Sequence, residues 1–273
     1  LLPAPAAGSL ILPACGAEPP PIPSGGEIAA AAPASDWIAI APTDLLVMDL
    51  ASDAKGKARR IVIQLMPAPF SQGWIGNIRR LAAAHWWDGT SVNRVQDNYV
   101  AQWGDATEKK ALPKGLAVVP ESEYTVSFEV SYPREAGFAE EVFFPLVNPR
   151  YNQDAYSGTG FFNFGWPVGL DREFVWPVHC YGAVGVGRNM SPDTGSGAEL
   201  YTVIGHAPRH LDRNIAAVGR VISGIEHLSS LPRGTGALGF YENAAERVAT
   251  TSMRVATELP AADQPRFEYL STE

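Results

Sequence analysis

The sequence predicts a mainly β fold: a closed barrel of about eight short strands accompanied by two helices. Three observations lead there. The 273 residues include 26 glycines and 23 prolines, well above an ordinary combined usage of about 12%, so turns must be frequent. Only 18% of the residues are charged and 46% are hydrophobic, which supplies enough apolar surface to offset the ordering entropy of a folded chain. Finally, the apolar residues fall mostly in short runs bounded by turn formers rather than in long helical repeats.

Residues 1–36 read as an Ala/Pro-rich N-terminal extension and 37–273 as the folded domain. Pro3, Pro5, Pro13, Pro19, Pro20, Pro21, Pro23 and Pro33 favour extended or polyproline-like backbone in the extension. Leu45–Leu50 and Arg60–Met66 flank Ser52–Lys57, which carries Gly56, and read as a hairpin. Pro69–Ala84 puts Trp74, Ile75, Ile78, Leu81 and Ala82 on one helical face, ahead of a turn at Trp87–Thr90. Ser91–Val95 and Tyr99–Trp103 read as strands. Residues 106–178 read as an enlarged, loop-rich insertion: Tyr124–Tyr132 is strand-like, and the aromatic/Gly cluster Tyr156–Trp166 has no clear period. Gly182–Gly187 and Leu200–Ile204 read as buried strands across the loop Arg188–Ala198. Ile215–Val221 follows as a strand, Gly224–Leu231 as a short helix and Ser252–Ala256 as the closing strand.

Several functions are disfavoured at once. The net charge is -8 and no basic run exceeds two residues, so no nucleic-acid partner is expected. The two cysteines, Cys15 and Cys180, have no CxxC companion, and the five histidines form no HExxH. His206 and His210 are separated by Pro208, which argues against a regular helix there. Neither a metal nor a cofactor is expected. Gly234–Gly239 matches GxGxxG but follows Ser-Leu-Pro-Arg rather than a strand, so it is not read as a dinucleotide site. His179 and Cys180, if adjacent on a strand, point to opposite faces, and the cysteine is read as structural. The apolar stretch Leu1–Ala17 is too short and too interrupted to span a bilayer. It ends in Leu12-Pro13-Ala14-Cys15, which resembles a lipoprotein cleavage box. The expected location is therefore periplasmic or otherwise extracytoplasmic, with Cys15 lipid-anchored, free or paired with Cys180.

One constellation is specific. Trp87-Asp-Gly-Thr-Ser-Val-Asn-Arg94-Val-Gln-Asp-Asn-Tyr99-Val100-Ala-Gln102-Trp-Gly-Asp105 resembles the cyclophilin signature YDGTxFHRVxxxFMxQGGD. Downstream, Gly182–Gly187 resembles that family's GxLSMA strand, Gly197–Ile204 its GSQFFI strand, and Leu211–Val221 its LDGKHxxFGxV segment. The resemblance covers residues 43–105 and 179–256. It implies an eight-stranded antiparallel barrel capped by two helices, and peptidyl-prolyl cis/trans isomerisation of proline-containing polypeptides.

The resemblance also implies residue roles. Arg94 stands at the catalytic arginine. Tyr99, Val100, Tyr201 and Leu211 stand at the pocket for the proline ring, and Gln102 and Gly187 where substrate backbone is contacted. Glu199, His210 and Ile215 complete the substrate-binding set, but each departs from the pattern: Glu199 replaces Gln, Ile215 replaces His, and His210 replaces a frequent Trp. Val100 likewise replaces Met, Tyr201 replaces Phe and Asn93 replaces the strand His. Because His210 lacks an indole donor, weak or no cyclosporin binding is expected. A carboxylate close to Arg94 is expected at Glu199, either orienting the guanidinium or competing for it. Two other readings stay open at this point: a groove that binds proline peptides without accelerating their rotation, and a scaffold whose partner surface is the 106–178 insertion.

Overall fold

The computed structural model describes residues 22–128 and 154–271. Cys15 lies outside them, and with it the expected lipid anchor or pairing with Cys180, as does the end of the strand-like run beyond residue 128.

Fourteen strands and three α-helices are present among the described residues. They are α1 (Gly25–Ala31), β1 (Trp37–Ala39), β2 (Leu45–Leu50), β3 (Arg59–Leu65), α2 (Gln72–Ala83), β4 (Ser91–Val95) and β5 (Val100–Gly104). β6 (Val126–Ser127), β7 (Thr159–Asn163), β8 (Trp166–Asp171) and β9 (Phe174–Pro177) follow. The chain continues through β10 (Ala183–Val186), β11 (Leu200–Val203), β12 (Ala217–Ser223), α3 (Glu226–Ser229), β13 (Val248–Val255) and β14 (Glu268–Leu270). Eight strands close an antiparallel barrel in the order β10-β11-β5-β4-β13-β2-β3-β12, and β12 returns to β10. α2 packs on β13 and α3 on β3. β1 pairs with β14 outside the barrel.

The predicted helix face is the buried one: Trp74, Ile75, Ile78, Leu81 and Ala82 all enter the core. The Trp74 indole nitrogen donates to the carbonyls of Thr194 and Gly195 at 3.1 Å each, and its ring stacks on Tyr124 at 5.4 Å. A buried indole needs such an acceptor, and here it ties α2 to the loop between β10 and β11. The turn at Trp87–Thr90 is anchored the same way. Trp87 donates to the Ala198 carbonyl at 2.8 Å, and Asp88 takes a bidentate pair of bonds from Arg254 at 2.6 and 2.7 Å.

Three expectations need correction. The N-terminal extension is not wholly extended. Ser24 and Glu27 form a reciprocal capping box ahead of a run of alanines, and this local chemistry starts α1 despite the flanking prolines. The 106–178 insertion is not simply loop-rich: it carries a four-stranded sheet in the order β6-β9-β8-β7. Its hairpin turn Phe164-Gly165 has positive φ at both positions, 47° and 75°, the geometry that matches strand twist in a two-residue turn. Residues 178–182, including His179 and Cys180, lie between β9 and β10 rather than on a strand. His179 is fully buried there and Cys180 half-buried.

Three arginines hold the inserted sheet to the barrel side. Arg209 pairs with Asp154 at 2.6 Å, Arg213 lies 4.5 Å over the Trp176 ring, and Arg220 donates to the Gly165 carbonyl at 2.7 Å while covering Trp166 at 4.2 Å. A guanidinium satisfies both demands because it is planar, stacks on aromatic faces and still donates at its edge.

Candidate active site

Strand register assembles the candidate residues in one row. Arg94 on β4 stands opposite Gln102 on β5, Gln102 opposite Tyr201 on β11, and Tyr201 opposite Gly185 on β10. Directly opposed residues share a face of a sheet. That face is the outer one, because the alternate residues Val92, Trp103, Leu200 and Val186 belong to the barrel core. The pairing of β4 with β5 shifts between Val92 and Arg94, leaving Asn93 as an extra residue. The resulting bulge brings Arg94 level with Gln102.

Arg94 is held on three sides. Its Nε donates to the Leu238 carbonyl at 2.7 Å, Nη1 to Gln102 Oε1 at 3.2 Å, and Nη2 to Gln96 Oε1. Its carbon Cζ lies 5.6 Å from the Tyr99 ring centre and 5.3 Å from that of Phe240. Burial lowers the guanidinium from its ordinary value, which is high enough that the charge persists at neutral pH. A guanidinium has five N–H donors. The three bonds above leave one on each terminal nitrogen for a bound ligand.

Beside it lies an apolar wall distinct from the barrel core. Val100, Tyr201 and Leu211 join Ala183 and Val203 in one buried cluster, with Tyr99 and Ile215 packed against it. The groove encloses about 760 Å³, and every predicted site residue except His210 lines it. His210 is exposed at the rim, where it stacks on Tyr99 at 5.8 Å with its Nε2 3.3 Å from the Tyr99 hydroxyl.

Glu199 does not fulfil its expectation. Among the described contacts it makes none with Arg94, and Gln102 is the residue that bonds the guanidinium. The Glu199 carboxylate folds instead over Gly104, where an added Cβ would lie 1.9 Å from Oε1. Burial pushes its carboxyl above the usual range, against the pull of Gln102, the Asp105 backbone and Asn93. Its Oε2 and the Asn93 Oδ1 are both buried without a hydrogen-bond partner.

A raised folded-state value means that the unfolded chain releases the Glu199 proton first. Stability therefore falls as pH rises from the ordinary value of 4.5 through the folded value. Glu199→Gln is expected to raise the melting temperature at pH 7 and to lose that advantage at pH 4. Thermal melts at the two pH values check it, and an equal effect at both would contradict a buried charge as the cause.

Sequence reasoning missed Gln96, Leu238 and Phe240, which clamp Arg94, and Ala183 and Val203 in the pocket wall. The signal for the clamp was present in Gly234–Gly239. Gly239 has φ +81°, and a Cβ there would sit 2.7 Å from the Gln96 Cα. The glycines permit close backbone approach, here to another loop rather than to a phosphate. Among the described residues, no group of three or more potential metal ligands occurs.

Comparison with known proteins agrees with this geometry. A family model described as cyclophilin type peptidyl-prolyl cis-trans isomerase matches residues 50–255. Among solved structures, a cyclophilin from Hirschia baltica superposes with a TM-score of 0.66 at 20% identity, covering 91% of this chain and 86% of that one. A cyclophilin type peptidyl-prolyl cis-trans isomerase from Cryptosporidium parvum, in the presence of the dipeptide Ala-Pro, has a TM-score of 0.41 at 12% identity, covering 77% of this chain and 98% of that one. No curated protein matches the sequence. The Hirschia baltica structure agrees in fold, and the family match spans the strands that carry the groove: the chain belongs to the cyclophilin-type peptidyl-prolyl cis-trans isomerases.

Proposed function

We propose that the groove seats the proline ring of a polypeptide against Val100, Tyr201 and Leu211, that Arg94 accelerates rotation about the preceding amide, and that the protein thereby assists folding. Rotation faces a barrier of about 18–20 kcal/mol because resonance flattens the prolyl nitrogen. Twisting the bond breaks that resonance, so the nitrogen pyramidalises and gains a lone pair able to accept a hydrogen bond. A donor placed there stabilises the twisted state and not the planar one, which is the condition for catalysis. No proton transfer and no covalent intermediate are needed.

The observation that carries this reading is the clamp on Arg94. Leu238, Gln96 and Gln102 occupy three N–H groups, so the other two are fixed in orientation next to the apolar pocket. Fixed donors at the point where charge develops cost little reorganisation. Gln102, Gly187, Glu199 and Ile215 flank the seat along the groove, and His210 braces Tyr99 from outside.

The test is refolding of a denatured protein whose slow phase is prolyl isomerisation. The slow phase should accelerate in proportion to added protein, and cyclosporin at low nanomolar concentration should not suppress it, because His210 offers a small exposed ring in place of an indole wall. Absence of acceleration would overturn the reading. An extracytoplasmic location, supported by Leu12-Pro13-Ala14-Cys15, belongs to the same proposal. Mass spectrometry of the non-reduced protein from its native host, showing Cys15 and Cys180 both as free unlipidated thiols, would remove its main support.

A further inference from the structure

Tyr201 differs from the Phe of the family pattern by one hydroxyl, and that hydroxyl is fully accounted for. It lies 2.9 Å from Nε2 of His179. His179 Nδ1 lies 3.0 Å from Asp212 Oδ1, which also accepts the His179 backbone N–H at 3.0 Å. Asp212 Oδ2 in turn accepts from Arg209 Nε at 2.5 Å, and Arg209 reaches Asp154 at 2.6 Å. His179 is 0% exposed, Tyr201 4% and Asp212 7%. Burial works against charge on Asp212, but the bonds from His179 and Arg209 hold its carboxyl below the usual range. An ionised Asp212 can only accept, so Nδ1 of His179 carries the proton. Nε2 is then the ring nitrogen that hydrogen-bonds the Tyr201 hydroxyl.

Room for the hydroxyl comes from the neighbouring strand. Gly185, paired with Tyr201, stands where the family pattern GxLSMA has Ser. A Cβ at Gly185 would lie 2.3 Å from both Cζ and the hydroxyl oxygen of Tyr201. The hydroxyl gained at one position thus fills the space vacated at its cross-strand partner, and a buried histidine satisfies it. An ordinary core tyrosine could equally find a backbone carbonyl. Here a three-member side-chain chain is aimed at one wall of the proline pocket.

We infer that His179, oriented by Asp212, is a positioning residue that fixes the Tyr201 ring as a wall of the proline pocket, and so sets how well the proline ring is held. This deepens the isomerase reading and rests on it. The role is in ground-state binding, so it moves KM, whereas Arg94 governs kcat. The chain acts through the Tyr201 hydroxyl, so it has no effect once that hydroxyl is gone.

The test measures kcat and KM on a proline tetrapeptide for the wild type, His179→Phe, Tyr201→Phe and the double variant, with melting temperatures alongside. His179→Phe leaves a buried hydroxyl unpaired and should raise KM about ten-fold with kcat within about two-fold. Tyr201→Phe should raise KM about three-fold, because the ring loses its anchor beside the space at Gly185. In the Tyr201→Phe background, adding His179→Phe should change KM no further. Lowered melting temperatures with KM unchanged would overturn the inference, as would a fall in kcat alone. Should His179→Phe fail to fold, an unchanged KM in Tyr201→Phe overturns it and the three-fold rise supports it. A wild type without turnover would instead sink the isomerase reading. Peptide dissociation constants of the same four proteins then decide this inference by the same pattern.

Discussion

Replacing Arg94 with Ala is expected to lower kcat/KM by about 10²–10³, the scale of removing one preorganised transition-state donor. The loss should appear in kcat with KM little changed, because the donor meets the nitrogen only as it pyramidalises. The fold should survive, since Arg94 is half-buried on the outer face and its acceptor residues are partly exposed (Gln96 and Gln102) or exposed (Leu238) rather than buried, so water reaches them. Arg94→Lys should restore little. An ammonium is a flexible, strongly hydrated point charge, and it cannot make three clamping bonds while aiming a further donor at the substrate. Circular dichroism alongside peptide isomerisation kinetics checks this, and a folded Arg94→Ala protein with near wild-type turnover would remove Arg94 from the mechanism.

Gly239→Val is expected to have the second largest effect on turnover, a fall in kcat/KM of about 10- to 100-fold, the cost of displacing a catalytic group by roughly an ångström. Gly239 sits at φ +81°, where a β-branched residue is strained. Its Cβ would also collide with the Gln96 backbone at 2.7–3.0 Å. The loop must then lift, and with it go the Leu238 carbonyl and the Phe240 ring that hold the guanidinium. The barrel is untouched, so the melting temperature should fall by only a few degrees. Kinetics and melts separate the outcomes: full activity with normal melting would mean that the clamp does not position Arg94.

The barrel was legible because its strands are short, apolar and punctuated. Leu45–Leu50, Ser91–Val95 and Leu200–Val203 all occur where branched and aromatic runs predicted them. The row Arg94-Gln102-Tyr201 was legible only through the family resemblance, because cross-strand register depends on a bulge at Asn93 that no alternation pattern announces. The insertion resisted for a different reason. Phe161 and Phe162 are adjacent in β7, and in β8 the alternation of Trp166, Val168 and Leu170 is interleaved with Pro167 and Gly169, residue types that read as turn formers rather than strand formers. At the level of sequence, strand geometry sets His179 and Cys180 aside as a pair and gives His179 no role, because nothing next to it in the chain marks its partners. Asp212 and Tyr201 are brought to it by tertiary folding alone.

The central claim, that this groove turns the X–Pro bond rather than merely holding it, is met most directly by two-dimensional exchange spectroscopy on a labelled Xaa-Pro peptide with a catalytic amount of protein. Uncatalysed exchange takes tens to hundreds of seconds, far too slow to give cross-peaks between the cis and trans signals. With the wild type, exchange cross-peaks should appear within sub-second mixing times and vanish with Arg94→Ala. Peptide signals that shift on binding but show no cis–trans exchange would contradict the account and make the groove a binding site alone.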